Sequence, residues 1–299
     1  MSSSAASTPL LSPEFLARLE QLELVSRKII VGRFKGDRLS KRKGTSVEFA
    51  DHRHYVIGDD LRFLDWNLYA RLDKLFLKLF LEEEDLHVHL LIDNSLSMDY
   101  GTPTKLHYAK QVAAALGFIG LINLDRVMVH VINEGLAQSS PLLRGRPSVW
   151  RLMQFLDGVQ PHQGAGKLRE AVRNFALRHS GRGIVMLLSD FMDKDGFEEP
   201  LRILTARPWD VYVLQILAEE EINPPLTGDL KLLDAEDGDM AEITVSPALL
   251  RRYQENLNAF RGALHAFCAQ RGIVPIFTSN QFPFEKLVLN YLRQRGLVR

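Results

Sequence analysis

A single cysteine, Cys268, stands among the 299 residues. An internal disulfide is therefore excluded, as is a zinc site built on several thiolates. Net charge is absent as well: 37 Lys and Arg balance 37 Asp and Glu, so no global field calls for nucleic acid or an acidic membrane as partner. No apolar run reaches the length of a membrane span. The longest helical one, from Val112 to Ile122, suits a core helix. Residues 1–13 lack the basic and apolar regions of a signal peptide and read as a disordered tail. With one thiol and no span, the expected compartment is the cytoplasm. Also missing are the Gly-x-Ser-x-Gly elbow, the phosphate-cradling Gly-x-x-x-x-Gly-Lys-Ser/Thr loop and the dinucleotide glycine fingerprint. Gly164-Ala165-Gly166-Lys167 lacks the spacing and the hydroxyl of a phosphate loop.

What is present is ordinary globular material, 46% hydrophobic and 25% charged, enough for one large domain with an appendage. Residues 14–30 place Phe15, Leu16, Leu19, Leu22 and Val25 at helical spacing. A basic stretch from Arg27 to Lys43 follows and reads as a solvated loop or hairpin. Residues 45–85 are dense in Asp, Arg and aromatics. Leu75, Leu77 and Leu79 alternate with Phe76 and Phe80 as in a strand. From His87 onward strands and helices alternate, which predicts an α/β domain over 86–299 with a mostly parallel central sheet flanked by helices. Residues 14–85 form its β-rich N-terminal extension. Asn133-Glu134-Gly135 predicts a turn into an antiparallel edge strand, and residues 229–245 a hairpin.

The chemistry-bearing feature is Asp93-Asn94-Ser95-Leu96-Ser97, directly after the apolar strand His87 to Ile92. A second apolar strand, Ile184 to Leu188, runs into Ser189-Asp190. Ligands gather at the carboxyl ends of strands in such sheets. If the two strands are neighbours, Asp93, Ser95, Ser97 and Asp190 converge as hard oxygen ligands suited to Mg²⁺ or Mn²⁺. Other candidates have structural readings. Asp59, Asp60, Arg62 and Asp65 suit turns and helix caps, with Arg53 and Arg62 as ion-pair partners and Trp66 and Tyr69 as anchors against the sheet. His87 and His89 share one strand face and, like His52 and His54, suit sheet packing. His162 suits a solvated loop, and Arg144-Gly145-Arg146 a surface turn.

The strand followed by Asp-x-Ser-x-Ser, with a later strand ending in Asp, resembles the metal-ion-dependent adhesion site of von Willebrand factor A domains. The stretch from Glu48 through Asp51-His52-Arg53, Tyr55, Gly58-Asp59-Asp60, Arg62 and Asp65-Trp66-Asn67 to Tyr69-Ala70-Arg71 is similar to a bacterial subgroup, the domain-of-unknown-function family fifty-eight. This resemblance implies a von Willebrand factor A-like fold and a non-enzymatic interaction module that works with a MoxR-type AAA+ ATPase, or its client, in maturation or assembly of other proteins. It implies metal ligation by Asp93, Ser95, Ser97 and Asp190. One departure stands out: where the family often reads Gly-Gly-Thr-Asp-Leu, this chain has Gly164-Ala165-Gly166-Lys167-Leu168. A hydroxyl is lost and a cation gained, so either the Lys167 ammonium stands in for the metal's charge, or Lys167 points to solvent and water fills the empty coordination place. The alternatives are a metal-dependent hydrolase using the same site and, less favoured by the neutral charge, a nucleic-acid binder using residues 27–43.

Overall fold

A computed structural model describes residues 10–24, 48–81, 86–162, 167–225, 228–233 and 240–299. The chain divides into two units, Arg27–Asp85 and a larger one made of Met1–Ser26 with Leu86–Arg299. Helix α1 (Pro13–Leu19) is shorter than the expected 14–30 and belongs to the larger unit, not to the segment that follows it. Ser12 caps it through the Phe15 N–H, and Phe15 meets the ring of Phe284 edge-on at 5.2 Å. Leu10 and Leu11 are buried, so the expected tail does not extend to residue 13: apolar burial holds its last residues in place. Leu24 bridges to Val298, and Glu23 and Arg299 exchange backbone hydrogen bonds.

The smaller unit pairs β1 (Glu48–His54) antiparallel with β2 (Phe76–Leu81), with a bulge between Phe49 and Asp51. A short 3₁₀ turn over Leu61–Phe63 and helix α2 (Trp66–Leu72) lie between them in sequence. The carboxylates organise this segment as its turn chemistry predicts. Asp59 takes both Arg53 guanidinium nitrogens at 2.8 and 2.7 Å, and Asp60 caps the 3₁₀ turn while pairing with Arg62. Asp65 caps α2 through the Asn67 and Leu68 N–H groups and pairs with His52 at 2.9 Å. The aromatic expectation fails. Trp66 is 63% exposed and packs edge-on against Tyr69 rather than anchoring to the sheet. Leu64 and Leu77 are buried in its place. The basic stretch 27–43 lies outside the described residues.

In the larger unit, β3 (His87–Asp93), β4 (Arg126–Ile132), β5 (Leu136–Ser139), β6 (Gly183–Ser189), β7 (Trp209–Leu217) and β10 (Val274–Ser279) form one sheet in the order β10-β7-β6-β3-β4-β5. All neighbours are parallel except β5, the antiparallel edge strand predicted after Asn133-Glu134-Gly135. Between β7 and β10 in sequence, β8 (Gly228–Leu233) and β9 (Met240–Val245) make a separate hairpin. Every residue of β6 and β7 is buried, as strands covered on both faces require.

The helices are α3 (Lys105–Ile122), α4 (Val149–Asp157), α5 (Leu168–Arg178), α6 (Glu198–Thr205), α7 (Glu219–Ile222) and α8 (Pro247–Gln270), followed by helical turns from Phe284 to Gln294. α3 packs on β3 and β4 and is buried on nearly every side, the signature of a central helix. Beneath α5, α6 and α8 lies a core of Leu91, Phe175, Leu187, Trp209, Val213 and Leu264. No helix of the described residues is long and apolar enough to cross a membrane.

Part of that core is polar. His89 Nδ1 lies 3.1 Å from His130 Nε2, and His130 Nδ1 lies 2.9 Å from Ser139 Oγ. The His179 ring is 4.9 and 4.7 Å from the other two rings. Burial, then the neighbouring imidazoles, push His89 down to about 3 and His130 to about 2. Both are neutral in the fold and ordinary once unfolded, so their stabilisation is complete above about pH 6.5 and is lost as pH falls. Unfolding free energy is expected to drop on acidification by about 1.4 kcal/mol per pH unit for each histidine below that point. Urea titrations from pH 7 to 4.5 check this, and the paired substitution H89F/H130L flattens the dependence.

Candidate metal and interaction site

The chain runs from β3 to β4 and β5 on one side, then returns to place β6 on the other side of β3, so the strand order reverses between β3 and β6 and a crevice opens at their carboxyl ends. Asp93 ends β3 and Asp190 follows β6, so the two carboxylates meet as the strand adjacency requires. Asp93 Oδ1 accepts from the Ser95 N–H at 2.9 Å, which turns the chain back and brings Ser95 Oγ to 3.1 Å from Ser97 Oγ. Asp93, Ser95, Asp190 and Asp193 line a cleft of about 10 Å³, room for one water molecule or a small ion. All four predicted residues are thus brought together. Beside the cleft, His162 donates its backbone N–H to the Asn94 carbonyl at 2.7 Å and forms a parallel bridge to Ser95.

The geometry adds groups that sequence reasoning missed. Ser189 Oγ donates to Asp93 Oδ2 at 2.6 Å and accepts from the Phe191 N–H at 2.9 Å. Phe191 has φ +62°, a costly conformation for a bulky residue that stores backbone strain beside Asp190. The largest addition is Lys105, which is fully buried. Its Nζ donates to Asp190 Oδ2 at 2.8 Å and Glu221 Oε1 at 2.6 Å. Glu221 Oε2 in turn accepts from the Ala218 N–H at 2.7 Å. One signal in the sequence pointed to Lys105: a lysine opening an otherwise apolar helix sits at the positive end of the helix dipole, where a cation is unfavourable without carboxylate partners.

Of the two expected readings of Lys167, the structure bears out the solvent-facing one. Its side chain is exposed and its backbone N–H bonds to Asn133 O. Among the described residues, the ammonium paired with Asp190 belongs to Lys105. Gly166 lies outside the described residues. Lys167 follows the second loop, whereas Lys105 arrives from α3, an element that its sequence position did not connect with the site.

The electrostatics leave the site short of positive charge. Burial disfavours the Lys105 ammonium, but Asp190 and Glu221 outweigh it and hold it above its ordinary value. Burial, then the like charge of Asp190, push Asp93 up to about 6 despite hydrogen bonds from Ser189 and Ser95. Asp93, Asp190, Asp193 and Glu221 gather around one ammonium, that of Lys105, an excess of acidic groups that a divalent cation would offset. The donor set fits such an ion. Adjacent ligands of an octahedral Mg²⁺ bound at about 2.1 Å stand about 3 Å apart, close to the spacing of the two serine hydroxyls. No cluster of three or more His, Cys, Asp or Glu suited to a metal occurs among the described residues, so ligation here depends on the hydroxyls. Cys268 is buried, which pushes its thiol up to about 12 and removes it as a nucleophile or ligand.

Two outcomes follow. Lys105→Met leaves two carboxylates unpaired and is expected to cost about 3–5 kcal/mol in urea unfolding. A raised carboxyl pKa contributes stability that is complete below the unfolded value near 3.9 and lost as pH rises through about 6. Asp93→Asn is therefore expected to stabilise the metal-free protein by roughly 1–2 kcal/mol at pH 7.5 and by nothing at pH 4, measured by thermal melts in chelator.

A family model described as "Protein of unknown function DUF58" matches residues 51–262. Uncharacterized proteins of Mycobacterium bovis and of two Mycobacterium tuberculosis strains are each 30% identical over 242 residues, covering 79% of this chain and 76% of theirs. Among solved structures, the conserved hypothetical protein BatB from Bacteroides thetaiotaomicron is 15% identical, with TM-score 0.42 over 70% of this chain and 98% of that one. The SpRpn10 VWA domain is 13% identical, with TM-score 0.39 over 70% and 95%. The expected α/β architecture is present, with six mostly parallel strands flanked by helices. On the extent of the family match and the identity to its relatives, the chain belongs to the DUF58 family.

Proposed function

We propose that this protein is a non-enzymatic interaction module that engages its partner at the Asp93/Asp190 face. The observation that carries this reading is the cleft itself: strand-end carboxylates and the Ser95 hydroxyl converge on about 10 Å³, space for a small ion but not for a substrate. Asp93, Ser95 and Ser97 would hold Mg²⁺ or Mn²⁺, with Asp190 shared between the ion and Lys105. A bound ion would supply an electrophilic place for a carboxylate from the partner. The protein's own part is positional. Ser189 and the Ser95 N–H orient Asp93, Lys105 holds Asp190 in place through a buried ion pair, and the buried sheet beneath keeps both strand ends in register.

The proposed partner is a MoxR-type AAA+ ATPase or its client, and the proposed role is maturation or assembly of other proteins. The support is the family resemblance carried by the Asp51 to Arg71 segment. The proposed setting is the cytoplasm, where such an ATPase has its nucleotide. An affinity measurement between the purified protein and its cognate MoxR-type ATPase, with Mg²⁺ or with chelator, tests this. Asp93→Ala and the double substitution S95A/S97A are each expected to weaken binding at least about tenfold, and calorimetric Mn²⁺ binding should disappear with them. Undiminished affinity in both variants would remove this face from the interaction.

A further inference from the structure

A second concave site lies in the larger unit, separate from the Asp93 cleft. It has a volume of about 300 Å³, the lower end of the range for small-ligand pockets. Leu217 of β7, Ile222 of α7 and Leu287 of the C-terminal helical segment give it aliphatic walls, and Phe277 and Tyr291 aromatic ones. Two polar groups among these walls lack the partners that their surroundings demand.

The first is Arg261 of α8. It is half-buried, its guanidinium lies 5.2 Å from the centroid of the Phe277 ring, and no carboxylate pairs with it among the described residues. Stacking on an aromatic face orients a guanidinium but leaves its N–H donors open. The second is Gln215 of β7, 1% exposed. Its Nε2 donates to the Asp190 carbonyl at 2.9 Å, while its Oε1 is buried with no partner. A buried acceptor left unpaired is unfavourable, and a ligand donor would relieve it. The other polar groups here are engaged internally. Thr278 Oγ1 bonds with Tyr108 OH at 3.1 Å, Ser279 Oγ donates to Glu219 Oε2 at 3.0 Å, and Tyr291 OH accepts from Arg295 at 2.9 Å.

From this pattern we infer that the pocket between β7, β10, α8 and the C-terminal helical segment binds a small organic carboxylate with an aryl or short acyl body. The carboxylate pairs with Arg261, the body fills the apolar walls, and an N–H or O–H on the ligand reaches Gln215. The cation selects an anion, and a planar fork favours carboxylate geometry. The volume limits the body to about one ring or a medium-length chain.

The test uses the full chain with three probes: 4-phenylbutyrate, octanoate and the neutral 4-phenylbutyramide. Binding is followed by saturation-transfer NMR and calorimetry for wild type, Arg261→Gln and Ile222→Trp. Both substituted side chains are only half-buried, and circular dichroism confirms that each variant is folded. The two carboxylates are expected to bind wild type, with the amide at least about tenfold weaker. Arg261→Gln should erase that difference by weakening the carboxylates alone, whereas Ile222→Trp, which fills the cavity, should abolish binding of all three. No binding of either carboxylate up to about 10 mM, equal affinity for acid and amide in wild type, or binding that survives both substitutions would each overturn the inference.

Discussion

The buried ammonium of Lys105 is the contact on which the top of the sheet depends. It joins the start of α3, the end of β6 and the short helix α7 through Asp190 and Glu221. A charge taken wholly out of water is tolerable only when it is paired and hydrogen-bonded. Two carboxylates within 2.8 Å meet that condition. Burial, then the like charge of the neighbouring Asp190, pushes the Asp93 carboxyl upward. The site is therefore not a neutral polar patch but a crevice with excess negative charge, ready for a cation.

Backbone geometry makes this possible. Parallel pairing of β3 with β6 brings two strand ends to one level, and the reversal of strand order between them leaves the crevice. Ser189 spans it by donating to Asp93 while accepting from the strained Phe191 backbone. Gln215 on the next strand holds the Asp190 carbonyl. Together these interactions fix the two strand ends beside the cleft.

Much of the fold was legible because its signals are local. Apolar runs of strand length alternate with helical periodicity from His87 onward, and strands and helices alternate there in the fold from β3 to the C-terminal helical turns. In the smaller unit, Asp59, Asp60 and Asp65 cap and pair as their turn spacing implies. The exposed Trp66 shows where local reasoning stops: an aromatic side chain favours burial, but only tertiary packing decides whether a partner surface is available. The histidines are a similar case. Alternation put His87 and His89 on one face, yet the ring in contact with His89 Nδ1 is His130, on another strand, and it is burial in the core, which no local pattern reveals, that keeps His89 neutral.

The sequence by itself determined the strand that ends at Asp93, the hydroxyls two and four residues beyond it, and the second strand ending at Asp190. These follow from periodicity and spacing along a continuous segment. Only the tertiary structure decided which cation stands beside them. Lys167 is nearer in sequence to Asp190 than Lys105 is, but the chain turns Lys167 to solvent and brings Lys105 in from the far side of the sheet, 85 residues before Asp190. Electrostatic pairing acts through space between elements distant in the chain, so no local pattern encodes it.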